Sequence, residues 1–383
     1  MFRIGKEEAD AVARVIEGRS LFRIGSKYQE TNNFEKELKE KFGSNHCVCV
    51  NSGTSALIAG LAALGVGPGD EVIVPAYTFI ATAVAVLAVG AIPVLADIDE
   101  TMTIDANDVE RKISKFTKAC IPVNIQGFPC NMDKLVELSK KYGFYIVEDA
   151  CQADGGSYKG KRLGTIGEIG AYSFNDFKIM SAGEGGALVT NDLKLYERAI
   201  LYHDCGAAFW TYDRVIEEPL FTGANMRVSD VTGAILRVQL KRLDGILSDL
   251  RRIKKRMMSE LSDVDGIKFN PSNDIEGDCA TTLPFLFDTV EEAMAFEIKI
   301  GGNRPINTGK HVYVNWSPVL EKRGAHCDSL NPYLNPKNAA LNMDVDKYSC
   351  KKSLDILSRT VYMMLNPDWS EDYVSDKIKL CKK

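Results

Sequence analysis

The segment GAYSFNDFKIMSAGEGGALVT, residues 170–190, places a lysine between two runs of β-forming residues. Residues 170–174 and 187–190 predict strands, and the glycines between them predict a tight turn. Lys178 is therefore expected to project into a cleft with main chain packed close around it. Such a lysine can form a Schiff base with a carbonyl compound once burial and neighbours lower its pKa. Most lysines are solvated surface charges, so Lys178 alone does not decide the function.

The same kind of strand recurs through the first two-thirds of the chain. Further strands are predicted at 47–50, 71–74, 92–96, 119–123 and 145–147, and helices at 55–64, 78–89 and 132–141. This alternation predicts an α/β fold with a seven-stranded, mostly parallel sheet between helices. Ligands in such folds gather at the carboxyl ends of the strands. Leucines spaced by three and four residues from 236 to 250 predict a long helix, and the pattern then weakens into a smaller α+β region.

Composition bounds the function. The chain has 383 residues, is 45% apolar and 26% charged, and carries a net charge of -5. These values are typical of a globular protein and argue against a nucleic-acid partner, which favours basic surfaces. The N-terminus lacks the basic and then apolar run of a secretory signal, so we expect a cytoplasmic protein with reduced cysteines. Cys47 and Cys49 fall in an apolar run, which favours strand packing over metal ligation, and no metal site is predicted.

One uncharged stretch, residues 74–96, is long enough to span a membrane. Pro75, Gly90 and Pro93 would interrupt a single helix there. The stretch therefore predicts strand, loop, buried helix and strand, and no membrane partner is expected.

Polar residues follow two of the predicted strands. NSGTSAL at 51–57 opens a helix, whose N-terminal N–H groups suit a phosphate, although the same residues are ordinary helix caps. EDACQ at 148–152 follows another strand. Its carboxylate could bind a metal, a ribose or a protonated ring nitrogen, or could cap the next helix. From these residues alone the alternatives stay open.

Together the motifs resemble the DegT/DnrJ/EryC1/StrS family of sugar aminotransferases. These enzymes depend on pyridoxal phosphate (PLP) and have the aspartate-aminotransferase fold, fold type I. The matching motifs are SGTS at 52–55, PAYTF at 75–79, EDACQ at 148–152, SFNDFK at 173–178, GEGG at 183–186 and NMRVSD at 225–230. The resemblance runs from about residue 30 to residue 255. It implies a large PLP-binding domain over 46–250, a small C-terminal domain over 251–383, and an N-terminal segment, 1–45, that packs on the small domain and the substrate cleft.

The resemblance also implies a role for individual residues. Lys178 is expected to hold PLP as a Schiff base and to shuttle the proton, and Asp149 to pair with the ring nitrogen. The other implied cofactor contacts are Gln152 near the phenolic oxygen, Phe79 on the ring face, Thr54, Ser55 and Ser173 at the phosphate, and Asn225 reaching the phosphate of the other subunit. A homodimer with shared active sites is therefore the implied catalytic unit.

The substrate is less well defined by the sequence. Asp154 and Asn124 stand where family members often have histidine, and KHVYVNW at 310–316 replaces a His-Tyr-Pro-like segment. His203, Tyr313 and Trp316 are candidate substrate contacts, with core packing as the alternative role for each. The implied reaction moves an amino group from glutamate or glutamine to a keto-sugar, nucleotide-linked or free.

Three alternatives remain. The substrate could be a keto-cyclitol or another cyclic ketone, because relatives that act on such rings keep the lysine. Some relatives dehydrate a deoxysugar, but these replace the lysine with histidine, so Lys178 argues against dehydration. A non-catalytic regulatory relative is the third, since fold alone does not establish function.

Overall fold

The computed structural model describes residues 3–206 and 215–382. The helices are α1 (Lys6–Glu17), α2 (Glu30–Phe42), α3 (Gly53–Ala63), α4 (Ala81–Ala88), α5 (Ala106–Lys112), α6 (Met132–Tyr142), α7 (Leu193–His203), α8 (Asp230–Leu261), α9 (Val290–Ile300), α10 (Ser317–Leu320), α11 (Lys351–Arg359) and α12 (Glu371–Lys382). The strands are β1 (His46–Val50), β2 (Glu71–Pro75), β3 (Ile92–Ala96), β4 (Thr117–Cys120), β5 (Tyr145–Asp149), β6 (Ser157–Tyr158), β7 (Lys161–Arg162), β8 (Ile169–Ser173), β9 (Gly186–Thr190), β10 (Thr282–Leu286) and β11 (Thr360–Met364).

In the described residues, seven strands form the main sheet in the order β1-β9-β8-β5-β4-β2-β3. The pairs β2/β3, β2/β4, β4/β5 and β5/β8 are parallel, whereas β9 is antiparallel to both β1 and β8. The predicted mixed α/β fold with a mostly parallel seven-stranded sheet is confirmed. Since β1 and β8 both oppose β9, they run parallel to each other, and the carboxyl ends of six strands share one edge.

The sheet lies between two apolar layers. In β1, Cys47 and Cys49 face the layer that holds α8, while Val48 and Val50 face the layer that holds α3. Successive residues of a strand point to opposite faces, so a strand covered on both sides needs an unbroken apolar run. The two cysteines are core residues of the strand, as their sequence context indicates.

Helix α8 joins the large sheet to the rest of the chain. Ser229 caps its N-terminus, and the carboxylate of Asp230 accepts hydrogen bonds from the main-chain N–H groups of Glu30 and Thr31. Both α1 and α2 pack on this helix, and Arg3 pairs with Asp249 on α8 as well as with Asp368 beyond β11. The helix continues past residue 250 to Leu261, so the limit placed at 250/251 falls inside one helix. The division into domains stays a prediction.

The C-terminal region has its own small sheet. Strands β10 and β11 pair antiparallel, and α9 packs against β11, α11 and α12. This is the α+β arrangement expected after residue 251.

Two element boundaries differ from the predictions by three residues. The helix predicted from residue 78 begins at Ala81, and before it the N–H groups of Thr78 and Ile80 donate to the carbonyls of His311 and Lys310. The strand predicted over 119–123 is regular only from Thr117 to Cys120.

The stretch 74–96 contains the end of β2, the eight-residue α4 and β3. Among the helices of the described residues, none combines the length and apolar character needed to cross a membrane.

Candidate active site

Segments that follow four parallel strands meet at the carboxyl-end edge of the sheet. β1, β2, β5 and β8 end there, and the segments after them are 51–55, 76–80, 150–154 and 174–185. These strand ends and segments contain all the residues predicted to bind the cofactor except Asn225.

The N-terminus of α3 forms one wall of this edge. Ser52 caps the helix: its hydroxyl accepts a hydrogen bond from the N–H of Ser55 at 3.0 Å and lies 2.9 Å from the Ser55 hydroxyl. Thr54 lies in the first turn of α3, where the main-chain N–H groups of a helix have no intrahelical partner and favour an anion. A side chain at position 53 would put its Cβ 2.8 Å from the Cβ of Ser173, so Gly53 allows the helix end to approach β8 closely.

Asp149 ends β5 with its side chain in the site. The residue is 5% exposed. Its Oδ2 accepts a hydrogen bond from Thr82 Oγ1 at 2.7 Å, and its Oδ1 accepts one from the N–H of Cys151 at 3.1 Å. Each oxygen has a further lone pair, so the carboxylate can still accept a proton donor from a ligand.

Glu148, one residue earlier, points away from the site. Its carboxylate accepts hydrogen bonds from the N–H groups of Gly164, Ile166 and Gly167 at 2.6–2.7 Å. Burial raises its pKa to about 7, although these donors oppose the shift. Glu148 therefore anchors the loop at 164–167. It differs in role from Asp149 because successive side chains of a strand point to opposite faces of the sheet.

Gln152 is oriented by a residue that the sequence did not single out. Its Oε1 accepts a hydrogen bond at 3.0 Å from the N–H of Gln126, which has a left-handed backbone with φ 52°. Gln126 in turn accepts hydrogen bonds from Thr281 and Thr282, at the start of the small sheet. This bond identifies the oxygen end of the Gln152 amide, so its nitrogen lies on the other side and can donate to a ligand.

Lys178 lies on a loop that is closed on itself. The N–H of Ala182 donates to the carbonyl of Phe174, and the side-chain amide of Asn175 donates to Glu184. The N–H of Lys178 donates to the carbonyl of Asn175 at 3.0 Å. Among the described residues, no carboxylate oxygen lies within 4.0 Å of its Nζ, so no ion pair ties down the amine.

Asp154 is a second buried carboxyl group near this loop. It is fully buried, its Oδ2 accepts only a 3.4 Å hydrogen bond from the N–H of Met180, and its Oδ1 has no partner among the described residues. Burial raises its pKa to about 8, while the Met180 N–H and the charge of Lys178 oppose the shift. Asp154 is therefore largely protonated at neutral pH.

Phe79 and His311 form the opposite wall. Phe79 is 46% exposed, and its ring centroid lies 5.4 Å from that of His311. His311 is half-buried, and burial, assisted by the charge of Lys178, lowers its pKa. Its Nδ1 lies 3.2 Å from the carbonyl of Thr308, so the neutral ring leaves Nε2 as an acceptor. His311 lies in the segment 310–316 that the sequence pattern indicated, but only its contact with Phe79 distinguishes it from its neighbours.

The three candidate substrate contacts are all in the core. His203, Tyr313 and Trp316 are fully buried. His203 Nδ1 lies 2.7 Å from the carbonyl of Ile200, the Tyr313 hydroxyl donates to the carbonyl of Lys347, and Trp316 Nε1 donates to that of Lys310. This placement favours the packing role for each, because a group with no exposed surface cannot touch a ligand without a rearrangement.

Asn225 lies on the surface of the described structure. It is exposed, and its Oδ1 accepts a hydrogen bond from the N–H of Arg227 at 3.2 Å. The carbonyl of the next residue, Met226, accepts one from the N–H of Asn51 at the end of β1. Asn225 is thus available to a second subunit, and its action there stays a prediction.

Comparison with known proteins identifies the family. The model of the DegT/DnrJ/EryC1/StrS aminotransferase family matches residues 3–315. The chain belongs to this family. The resemblance inferred from the motifs is confirmed, and the family depends on PLP, which makes PLP the cofactor of this site.

Several members of the DegT/DnrJ/EryC1/StrS family resemble this chain. GDP-perosamine synthase of Escherichia coli O157:H7 is 38% identical over 60% of this chain and 62% of its own length. dTDP-3-amino-3,4,6-trideoxy-alpha-D-glucose transaminase of Streptomyces venezuelae is 39% identical over 68% of this chain and 67% of its own. The structure of 3-amino-5-hydroxybenzoic acid synthase superposes with a TM-score of 0.80 and 27% identity, covering 100% of this chain and 98% of that one.

The site fits PLP. A phosphate needs donors and a close approach of main chain, which the α3 N-terminus and Gly53 provide. A protonated ring nitrogen needs a buried carboxylate with a spare lone pair, which Asp149 provides. A Schiff base needs an unpaired amine, which Lys178 provides. Among the described residues, no group of three or more His, Cys, Asp or Glu side chains is arranged to hold a metal ion.

Proposed function

We propose that this protein is a PLP-dependent aminotransferase that moves an amino group from glutamate or glutamine to a keto-sugar. The observation that carries the proposal is the meeting of Lys178, Asp149, Ser173 and the α3 N-terminus at one edge of the sheet. The sugar relatives named above support the substrate class. The proposed pathway role is the synthesis of amino sugars.

Bound PLP supplies an electron sink that stabilises negative charge at the substrate carbon. Asp149 would hold a proton on the ring nitrogen and so maintain that sink. Thr54, Ser55 and Ser173 would hold the phosphate, Gln152 would donate to the phenolic oxygen, and Phe79 would cover the ring face. The amine of Lys178 would act as the general base and acid that moves the substrate proton.

A cyclic ketone is the second candidate substrate. The similarity to 3-amino-5-hydroxybenzoic acid synthase covers the entire chain, and that protein's name indicates a ring product rather than a sugar. The half-buried His311 and the exposed part of Phe79 would accept either ring. Lys178 continues to argue against a dehydratase.

A substrate panel tests the function. The PLP-loaded protein is first converted with L-glutamate or L-glutamine to the amino form of the cofactor, with loss of the visible absorbance band. Nucleotide-linked keto-hexoses, free keto-sugars and keto-cyclitols are then added separately. Return of the band with a sugar supports the proposal, return with cyclitols alone supports the second candidate, and return with neither contradicts both.

We also propose a cytoplasmic homodimer with shared active sites. Phe177, next to Lys178, is 86% exposed. A partner subunit that covers Phe177 would remove this apolar surface from water. Each subunit would contribute Asn225 to the other's phosphate site across an obligate interface of more than about 2,000 Å².

Mixing two inactive variants tests the shared site. Lys178→Ala and Asn225→Ala chains are combined under conditions that allow exchange. Half of the dimers then carry both variants, and in each of these one site has both lesions and the other has none. Activity should return to about one-quarter of the wild-type value. No recovery despite proven exchange would show that Asn225 acts within its own subunit.

A further inference from the structure

The carboxylate of Asp149 ends a chain of buried hydroxyl groups. Thr82 Oγ1 donates to Asp149 Oδ2 at 2.7 Å, and it also lies 2.7 Å from Thr78 Oγ1. A hydroxyl has one hydrogen, so the hydrogen between the two threonines comes from Thr78. The other acceptor near the Thr78 hydroxyl, the carbonyl of Phe79, is 3.4 Å away. The chain therefore runs in one direction, from Thr78 through Thr82 to Asp149.

The position of Thr82 is unusual for a polar side chain. Every other residue of α4 is alanine, valine or leucine, and Thr82 is fully buried. Valine has nearly the same shape and would suit the apolar surroundings, so packing alone does not require a hydroxyl. The carboxylate of Asp149 does require a hydroxyl at this position, because a buried charge without hydrogen-bond donors is costly.

We propose that Thr82 is a positioning residue for PLP, which orients the carboxylate of Asp149 so that it can hold the proton on the ring nitrogen. A hydrogen bond from a hydroxyl to a carboxylate is charge-assisted and is stronger than a neutral one. The inference rests on the proposed role of Asp149.

The chain of hydrogen bonds extends to the opposite wall of the site, which contains His311. The N–H of Thr78 donates to the carbonyl of His311 at 2.9 Å. The hydroxyl chain therefore begins at the point where the C-terminal region touches the large sheet.

The test compares two cofactors on apoenzyme. PLP and its 1-deaza analogue, in which CH replaces the ring nitrogen, are titrated into wild type, Thr82→Val and Thr82→Ser. Thr82→Val should weaken PLP binding by about tenfold and leave binding of the analogue unchanged, because only PLP has the nitrogen that Asp149 serves. Thr82→Ser, which keeps the hydroxyl, should restore PLP affinity.

Thr190→Val is the matched control. Thr190 is also buried, and its hydroxyl makes a 2.7 Å hydrogen bond to the carbonyl of Glu168, away from Asp149. This variant should bind both cofactors as wild type does. If Thr82→Val yields no folded apoenzyme, Thr82→Ala takes its place.

Two results would overturn the inference. One is unchanged PLP affinity in the Thr82 variant. The other is an equal loss of affinity for both cofactors, which would show that Thr82 acts only through packing. Asp149→Asn separates this failure from a failure of the proposed site. If Asp149→Asn discriminates against PLP and Thr82→Val does not, only the role of Thr82 is wrong. If Asp149→Asn leaves PLP affinity unchanged, the role of Asp149 is wrong as well.

Discussion

The two walls of the proposed site are built differently. The cofactor side follows strand ends, where Asp149, Ser173 and the α3 N-terminus are held by the sheet itself. The opposite side is a series of short turns over 305–316, without strands among its described residues. A strand end directs alternate side chains to known faces, whereas in such turns only the neighbours decide which side chain is exposed. The side chains of the first wall can therefore be predicted from the sequence, whereas those of the second wall cannot.

The largest expected effect lies on the cofactor side. Lys178→Ala should abolish turnover and the adduct that borohydride fixes, while the loop keeps its shape, since its hydrogen bonds come from main chain and from Asn175. Activity assays and mass spectrometry after reduction measure both. Lys241→Ala, an exposed site on α8, is the control and should behave as wild type. Turnover by the Lys178→Ala variant would contradict the role of Lys178 and the assignment of the cofactor to this wall of the site.

Adjacent carboxylates of β5 provide the next test. Asp149→Asn should lower the turnover rate by about 100-fold, equivalent to about 2.7 kcal/mol of transition-state stabilisation. Glu148→Gln should instead lower the free energy of unfolding, because the loop at 164–167 loses its anchor, and leave the rate per folded molecule unchanged. Steady-state kinetics and urea unfolding of both variants decide this. Near-normal turnover in Asp149→Asn would reassign that residue to a structural role.

The second wall can be tested with one half-buried and one buried residue. His311→Ala should raise KM for the keto substrate by about tenfold with little change in PLP affinity, since a ligand acceptor is lost. Trp316→Phe should leave KM unaltered and lower stability by about 1–3 kcal/mol through the lost bond to the carbonyl of Lys310. The opposite pattern would place Trp316 in the substrate site and His311 in the core.

The last prediction concerns Asp154 and the pH dependence of stability. Its pKa is about 8 in the folded protein, against about 3.9 when unfolded, so the native state binds one more proton between these values. Stability should therefore fall as pH rises through that range, by at most about 1.4 kcal/mol per pH unit from this group. Urea unfolding of apoenzyme from pH 5 to pH 8 measures the slope, which Asp154→Asn should reduce. The control variant Asp10→Asn, at an exposed position, should leave the slope unchanged. An unchanged slope in Asp154→Asn would mean that the carboxyl is ionised in the native state.

The sequence predicted much of the cofactor side for a physical reason. Apolar runs of a buried sheet are visible in the chain, and the polar residues directly after them are bound to reach the carboxyl-end edge. Lys178 and the segment 148–152 were singled out in this way, whereas the roles of Asp149, Gln152 and Ser173 were implied by the resemblance to the family. Gln126 was missed because its main-chain N–H reaches Gln152 only through the left-handed backbone of Gln126, and the two residues are not close in sequence.

By itself, the amino-acid sequence determined the order of the motifs along the chain, the α/β class and the family. Only the tertiary structure decided that α4 begins at Ala81, that Tyr313 and Trp316 are buried while His311 faces Phe79, and that Thr82 reaches Asp149. Periodicity records which faces of an element are apolar, and this is a local property. The partners of a turn or of a buried hydroxyl come from distant parts of the chain, and they are set only when those parts pack together.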